Sequence, residues 1–222
     1  MPSALPERRD NMNENAGILV SHVYKSFGRE TVLNDVSLTV GRGEIAGLVG
    51  NNGSGKTVLM KCICGFLKPE RGEITVSGRR IGRDCDFPPD LGLIIETPGF
   101  LPFMSGYRNL RTLATLRGII GKTEILDTLR RVGLYDARRK FVSKYSLGMR
   151  QRLGIAQAIM ENPDVLILDE PFNALDAKAV ADMRALLLDL KSQGKTILLA
   201  SHNAEDIRAL CDHVYEMKVN VS

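Results

Sequence analysis

Positions 50–57 carry the most restrictive pattern in the chain, Gly-Asn-Asn-Gly-Ser-Gly-Lys-Thr, which fits the phosphate-binding loop G-x-x-x-x-G-K-[ST]. An apolar segment typical of a strand precedes it at 44–49, and an apolar segment typical of a helix follows at 58–64. Glycines let successive backbone N–H groups converge on a phosphate, and the helix N-terminus favours the same negative charge. We therefore predict phosphate contacts from Gly50, Asn51, Asn52, Gly53, Ser54, Gly55, Lys56 and Thr57, with Lys56 between the β- and γ-phosphates and Thr57 on Mg²⁺.

Length and composition limit the remaining possibilities. A chain of 222 residues with 44% hydrophobic content can bury one large core and carry a small inserted subdomain. The net charge of +4 does not by itself indicate nucleic acid, and we expect a solvated helical face from the basic residues at 130, 131 and 138–140. The four cysteines lack paired zinc spacing, which favours reduced thiols in a cytosol. No apolar run approaches the ~18 residues of a membrane span, so we expect any work at a membrane to need a partner.

Strand and helix patterns alternate along the chain. Segments 17–24 and 32–40 alternate apolar and polar residues around a turn near Gly28, and 74–76 is another short strand. Segment 165–168 is continuous in large aliphatic residues, which is typical of a buried parallel strand, and 196–200 is a further strand of this kind. An amphipathic helix between them completes a strand-helix-strand unit. This order predicts an α/β sheet that binds a nucleotide at the carboxyl ends of its strands.

The region from about 105 to 160 has helical periodicity and no strand signals, so we interpret it as a helical insertion. Near its end, Ser146 precedes an apolar helix predicted at 153–160. A serine at this place caps the helix, and the free N–H groups beside it could form a second anion site. A plain capping role is the alternative for Ser146.

The order of these motifs resembles the ATP-binding cassette (ABC) family from about residue 17 to 216. Besides the phosphate loop, the matching elements are Phe27, Glu96, the signature at 146–148, Asp169 with Glu170, the loop 173–176 and His202. The resemblance implies an α/β fold: a RecA-like P-loop NTPase core with an antiparallel β subdomain and a helical insertion that carries the signature. It also implies one ATPase domain at 17–222 behind a polar tail at 1–16.

The resemblance assigns roles to individual residues. Phe27 stacks on adenine, Glu170 polarises the attacking water, His202 contacts the γ-phosphate, and Lys56 offsets phosphate charge. Thr57, Glu96 and Asp169 are the implied contacts of Mg²⁺. Ser146 and Gly148 are expected to reach the ATP of a second ABC ATPase copy, because two copies pack head to tail with ATP between them.

Three positions depart from the family pattern. The signature reads Tyr-Ser-Leu-Gly-Met at 145–149 and loses its usual glutamine. Glu96 stands where the family carries glutamine and adds negative charge beside the phosphates. Val58 replaces a hydroxyl residue that meets the α-phosphate, a loss of about 0.5–1.5 kcal/mol for one hydrogen bond. Since Lys56, Thr57, Asp169, Glu170 and His202 are all retained, we predict a competent ATPase.

The segments 94–100 and 145–149 resemble the bacterial branch of bacitracin- and lantibiotic-type transporters. We therefore predict an ATP-hydrolysing subunit that powers export of a peptide or antibiotic-like substrate through a separate multi-spanning permease, at the cytoplasmic face of the membrane and without nucleic acid as partner. The alternatives are a soluble ABC-type ATPase that acts on ribosomes or DNA, and a phosphate-loop kinase or GTPase. The last is disfavoured because the chain has no Asn-Lys-x-Asp guanine motif.

Overall fold

A computed structural model describes residues 16–218 of the protein. In chain order its elements are β1 (Ala16–Phe27), β2 (Glu30–Gly41), β3 (Ile45–Val49), α1 (Lys56–Ile63), β4 (Arg71–Val76), β5 (Arg79–Arg80), β6 (Leu91–Ile94), α2 (Gly106–Arg117), α3 (Lys122–Arg131), α4 (Leu147–Ile159), β7 (Val165–Asp169), α5 (Ala177–Ser192), β8 (Thr196–Ala200), α6 (Ala204–Leu210) and β9 (His213–Glu216). A short 3₁₀ turn at Val142–Lys144 precedes α4.

Two sheets divide the strands. The antiparallel sheet has the order β2-β1-β4-β5, and the turn between β1 and β2 passes through Gly28 at φ 62°. The second sheet has the order β6-β7-β8-β3-β9 with every pair parallel. Helix α5 connects β7 to the neighbouring β8, which confirms the predicted strand-helix-strand unit. The predicted α/β architecture with an antiparallel β subdomain and a helical insertion is confirmed.

Each central strand of the parallel sheet contributes to two cores, because side chains alternate between the faces of a strand. On β7, Leu166 and Leu168 pack toward the helical insertion and α5, while Val165 and Ile167 pack toward α1 and the antiparallel sheet. All four are at most 1% exposed. Burial of such side chains contributes about 1.5–3 kcal/mol each. This burial fixes the strand ends that carry the polar groups of the site.

The helical insertion contains α2, α3 and α4. Ser146 caps α4, since its Oγ accepts a hydrogen bond from the N–H of Met149 at 3.2 Å. The helix therefore begins at Leu147, six residues before the predicted start at 153, because the polar residues 150–152 occupy its less buried first turns. The expected basic helical face is wrong in part: α3 ends at Arg131, and residues 138–140 follow in a loop.

Three strands were not predicted from the sequence: β5, β6 and β9. Strand β6 has four residues and includes Gly92, where a Cβ would lie 2.0 Å from the carbonyl oxygen of Ala158. Close packing of α4 against this strand thus requires glycine, which is a weak strand former.

Of the predicted tail, only Ala16 lies within the described residues, where it begins β1; residues 1–15 and 219–222 are outside them.

Two further expectations concern the cysteines and the membrane. All four cysteines are free thiols, with Cys62 and Cys64 buried. Burial raises the pKa of Cys62 to about 11 and that of Cys64 to about 12. Within residues 16–218, no helix has both the length and the apolar character that a membrane crossing requires.

Candidate active site

A cleft of about 660 Å³ opens at the carboxyl ends of β3 and β7. Of the residues predicted for the site, Phe27, residues 52–58, Glu96, Asp169 and Glu170 line it. The other lining residues are Glu30, Val32, Thr97, Leu147, Gln151, Asn173 and Ala174. The predicted contacts Gly50, Asn51, Ser146, Gly148 and His202 are not part of this lining.

The phosphate loop turns on glycines in the left-handed region, with φ 81° at Gly53 and 92° at Gly55. At Gly50 a Cβ would lie 2.4 Å from the carbonyl oxygen of Met217, so only glycine fits there. Lys56 is 9% exposed, and its Nζ donates to the carbonyl oxygens of Gly50 at 2.7 Å and Asn51 at 3.1 Å. The ammonium therefore lies folded over the loop without a carboxylate partner among the described residues, which leaves its charge available to an anion.

Ser54 adds a second sign of an anion site within the loop. Its side chain is 1% exposed, and within residues 16–218 its Oγ has no hydrogen-bond partner. A buried hydroxyl without a partner carries a free-energy cost of about 1–3 kcal/mol. The loop thus holds one unsatisfied polar group as well as one uncompensated cation.

Thr57 and Asp169 meet across the floor of the cleft. The Thr57 hydroxyl, in the first turn of α1, donates to Asp169 Oδ2 at 2.7 Å at the end of β7. No group of three or more His, Cys, Asp and Glu side chains within residues 16–218 is placed to hold a metal by itself. One carboxylate and one hydroxyl match the few protein ligands that Mg²⁺ takes when substrate phosphates and water complete its shell. These two residues therefore fit a Mg²⁺ ion that arrives with a nucleotide.

Glu170 and His202 form a hydrogen-bonded pair at the ends of neighbouring strands. His202 Nδ1 lies 2.8 Å from Glu170 Oε2, although the residues are 32 positions apart in sequence. The backbone of Glu170 has φ 49°, and its N–H donates to the carbonyl oxygen of Ala200 at 2.9 Å. Gln151 of α4 donates to the carbonyl oxygens of Glu170 at 3.2 Å and Pro171 at 3.0 Å. This bonding holds a carboxylate and an imidazole together beside the phosphate loop.

A buried network supports the segment that follows β8. Asp206 is 2% exposed, and its Oδ2 accepts from the Ser201 hydroxyl at 3.0 Å. Its other oxygen accepts from Arg184 of α5 at 2.5 Å and 2.9 Å. The Ser201 Oγ in turn accepts from the N–H of Asn203 at 3.1 Å. Because Ser201 and Asn203 flank His202, this network positions the imidazole.

Glu96 projects from the loop after β6 with φ 61°. Its carboxylate lies 2.5 Å from Lys61 Nζ on α1, and the two side chains are 65% and 30% exposed respectively. Lys61 lies one and a half turns along α1 from Lys56, so the charge that Glu96 adds to the cleft has a cation beside it. The sequence analysis identified Glu96 but missed Lys61 and Gln151. The only sequence signal for Lys61 was its position five residues after Lys56, and the only one for Gln151 was its position five residues after Ser146.

Phe27 and Leu147, the middle residue of the signature 146–148, both line this cleft. The Phe27 ring is 48% exposed, with Lys25 Nζ 5.4 Å from its centroid. At Gly148 a Cβ would lie 2.8 Å from the carbonyl oxygen of Ala174, so the signature packs directly against the loop 173–176. Leu147 between Ser146 and Gly148 is 60% exposed.

Comparisons with known proteins agree with this site. The family model described as "ABC transporter" matches residues 33–173. An uncharacterized ABC transporter ATP-binding protein of Bacillus subtilis, YybJ, is 46% identical over 200 residues, which cover 90% of this chain and 92% of the relative. The bacitracin transport ATP-binding protein BcrA of Enterococcus faecalis is 42% identical, covering 88% of this chain and 64% of BcrA. The lantibiotic transport ATP-binding protein SrtF of Streptococcus pyogenes is 36% identical, covering 90% and 87%.

Two solved structures share the fold. The ATP-binding subunit of an ABC transporter superposes with a TM-score of 0.82 at 29% identity, over 92% of this chain and 88% of that one. A dimeric bacterial ABC transporter cassette superposes with a TM-score of 0.81 at 24% identity, over 90% and 94%.

Proposed function

This chain belongs to the ABC transporter family as an ATP-binding, ATP-hydrolysing subunit, and we propose that it powers the export of a peptide or antibiotic-like substrate through a separate membrane permease. The observation that carries the catalytic part is the pairing of Glu170 with His202 at 2.8 Å beside the phosphate loop. The similarity to the bacitracin and lantibiotic transport proteins supports the substrate class. The same relatives favour transport over an ATPase that acts on ribosomes or DNA.

In the proposed reaction, water attacks the γ-phosphate of ATP while Glu170 accepts its proton. The side chain of Glu170 is 24% exposed, which leaves one carboxylate edge open to the cleft. His202 orients that carboxylate and contacts the γ-phosphate from the end of β8. Lys56 turns from its carbonyl partners to the β- and γ-phosphates, where its charge stabilises the transition state. General-base catalysis of this kind contributes about 10²–10⁴-fold to a rate.

Mg²⁺ is the proposed metal partner of ATP. Thr57 and Asp169 would hold it, with Glu96 nearby at the end of the β6 loop. When bound, the ion neutralises phosphate charge and orients the transferred group. The Thr57–Asp169 hydrogen bond of 2.7 Å keeps both oxygens together at the place where the ion is needed.

A second ABC ATPase copy, packed head to tail, completes the proposed site. Ser146 and Gly148 do not line the cleft that contains the phosphate loop of their own chain. Their position at the N-terminus of α4, next to the loop 173–176, suits contact with a nucleotide held by another copy. The solved relative that is described as dimeric accords with this arrangement.

Binding to the permease would locate this chain at the inner face of the cell membrane. The test is affinity isolation of the Glu170→Gln chain from gently solubilised native membranes in MgATP, with Glu73→Gln as a matched carboxylate control. We expect a multi-spanning membrane protein in stoichiometric amount with the Glu170→Gln chain. Recovery of ribosomes or DNA, or of no partner, would contradict the transport assignment.

A further inference from the structure

Gln151 joins the helical insertion to the main chain of the candidate base. It lies on α4, and its side-chain nitrogen donates to the carbonyl oxygens of Glu170 at 3.2 Å and Pro171 at 3.0 Å. An amide nitrogen carries two hydrogens, so one side chain can serve both carbonyl groups. Glu170 and Pro171 follow directly after β7, which ends at Asp169. This contact therefore connects the insertion with the strand end that carries the base.

The main chain of Glu170 needs support from its surroundings. Its φ of 49° lies in the left-handed region, which is unfavourable for a residue with a Cβ and persists where neighbouring groups fix it. Two main-chain hydrogen bonds contribute: its N–H donates to the carbonyl oxygen of Ala200 at 2.9 Å, and its carbonyl oxygen accepts from the N–H of Asn173 at 3.2 Å. Gln151 adds a bond from the insertion. The direction in which the Glu170 carboxylate leaves the strand end therefore depends in part on α4.

Helix α4 contacts the same segment at a second place. At Gly148, about one helical turn before Gln151, a Cβ would lie 2.8 Å from the carbonyl oxygen of Ala174. The first turns of α4 thus pack against residues 170–174 both by close approach of the main chains and by hydrogen bonds. A displacement of this helix would either carry the segment with it or break the bonds of Gln151.

Gln151 also lines the cleft, but its hydrogen-bonding groups suit a positioning role better than contact with a nucleotide. The two hydrogens of its amide nitrogen are matched by the two carbonyl oxygens. The group that remains is the amide oxygen, which accepts hydrogen bonds, and phosphate oxygens are acceptors as well. A direct phosphate contact would therefore cost one of the bonds to the main chain of residues 170–171.

We propose that Gln151 is a positioning residue for ATP hydrolysis, whose amide holds the main chain of Glu170 so that its carboxylate is aligned from α4. This rests on the proposed function, because it takes Glu170 as the base and the N-terminus of α4 as the part that meets the nucleotide of a second copy. The base of each copy is then aligned by the helix that contacts the other copy's nucleotide. A misplacement of about 1 Å can lower a rate about 100-fold, so two hydrogen bonds are enough to affect turnover.

The test compares steady-state MgATP hydrolysis by Gln151→Met and by the native chain. Methionine keeps the length of the side chain but removes both donors, so kcat should fall about tenfold, while KM changes by less than about twofold. Arg152→Met is the matched control, since Arg152 is the next residue on α4 and donates to the carbonyl oxygen of Gly133 at 3.3 Å rather than to the base segment. Its kcat should stay within about twofold of the native value. A raised KM with a native kcat in Gln151→Met would make Gln151 a nucleotide contact and overturn the proposal.

A double-mutant cycle separates positioning from general support of the fold. If Gln151 acts through the Glu170 carboxylate, Gln151→Met should lower the residual rate of the Glu170→Gln chain by less than about twofold. A further loss of about tenfold in that background would show a merely structural role and overturn the proposal. Gln151→Asn keeps the amide but is one methylene shorter, so it should repeat the loss in kcat at the native melting temperature. It carries the test if the methionine variant does not fold.

The positioning role and the function on which it rests fail differently. A Glu170→Gln chain with the native rate would remove the assignment of the base itself. A slow Glu170→Gln chain together with a Gln151→Met chain at the native kcat would overturn the positioning role alone.

Discussion

The Lys61–Glu96 pair gives the sharpest prediction about nucleotide binding. Glu96 brings a negative charge to a cleft that must accept a polyanion, and Lys61 Nζ lies 2.5 Å from its carboxylate. Replacement of Lys61 by methionine keeps the length of the side chain but exposes the phosphates to the uncompensated charge of Glu96. We therefore expect Lys61→Met to weaken MgATP binding, and to weaken it less when Glu96 is already glutamine.

The magnitude follows from the exposure of the pair. With side chains 30% and 65% exposed, solvent screens the interaction, and exposed ion pairs contribute about 0.2–1 kcal/mol. We take about 0.5 kcal/mol for the coupling, which is about a twofold difference in affinity. Lys61→Met should thus raise the Kd about fivefold in the native background and about twofold in Glu96→Gln.

Calorimetric titration with MgATP measures this double-mutant cycle, carried out with Glu170→Gln throughout to prevent turnover. Arg130→Met is the matched control, since Arg130 also forms an exposed ion pair, with Asp127, away from the cleft. That variant should leave the Kd unchanged. Strict additivity of Lys61→Met and Glu96→Gln would refute the idea that Lys61 offsets the charge of Glu96.

Two further predictions concern the support of the site and the buried thiols. Asp206→Asn should lower the free energy of unfolding by about 2 kcal/mol in denaturant titration, because it weakens a nearly buried ion pair with Arg184; a change below about 0.5 kcal/mol would contradict the role of this network. Since burial raises the pKa of Cys64 to about 12 and the thiolate is the reactive form, iodoacetamide at neutral pH should label the partly exposed Cys85 first. Mass spectrometry measures the order in which Cys85 and Cys64 are labelled, and equal labelling rates at the two residues would refute this prediction.

The parallel strands at the centre of the fold could be predicted because each is a short, strongly apolar segment. Residues 165–168 and 197–200 are aliphatic, and a run this short that ends in polar residues favours a strand buried on both faces over a helix. Strands β6 and β9 have four residues each, too few to show a period. Their place in the sheet depends on pairing with β7 and β3, which local sequence does not contain.

The candidate site likewise has one part that local sequence predicts and another part that depends on the fold. The phosphate loop is local, and its glycines and Lys56 could be identified from spacing alone. The contacts of Glu170 with His202 and Gln151 join residues 32 and 19 positions apart, so they depend on how β8 and α4 pack beside β7.

Steady-state MgATP hydrolysis by the Glu170→Gln chain tests the central claim most directly, with the native chain and Glu73→Gln measured beside it. If Glu170 is the base, its rate should fall at least about 100-fold, while nucleotide affinity, thermal stability and the rate of Glu73→Gln stay near those of the native chain. A Glu170→Gln chain that hydrolyses ATP as fast as the native protein would contradict the assignment of the Glu170–His202 pair as the catalytic centre.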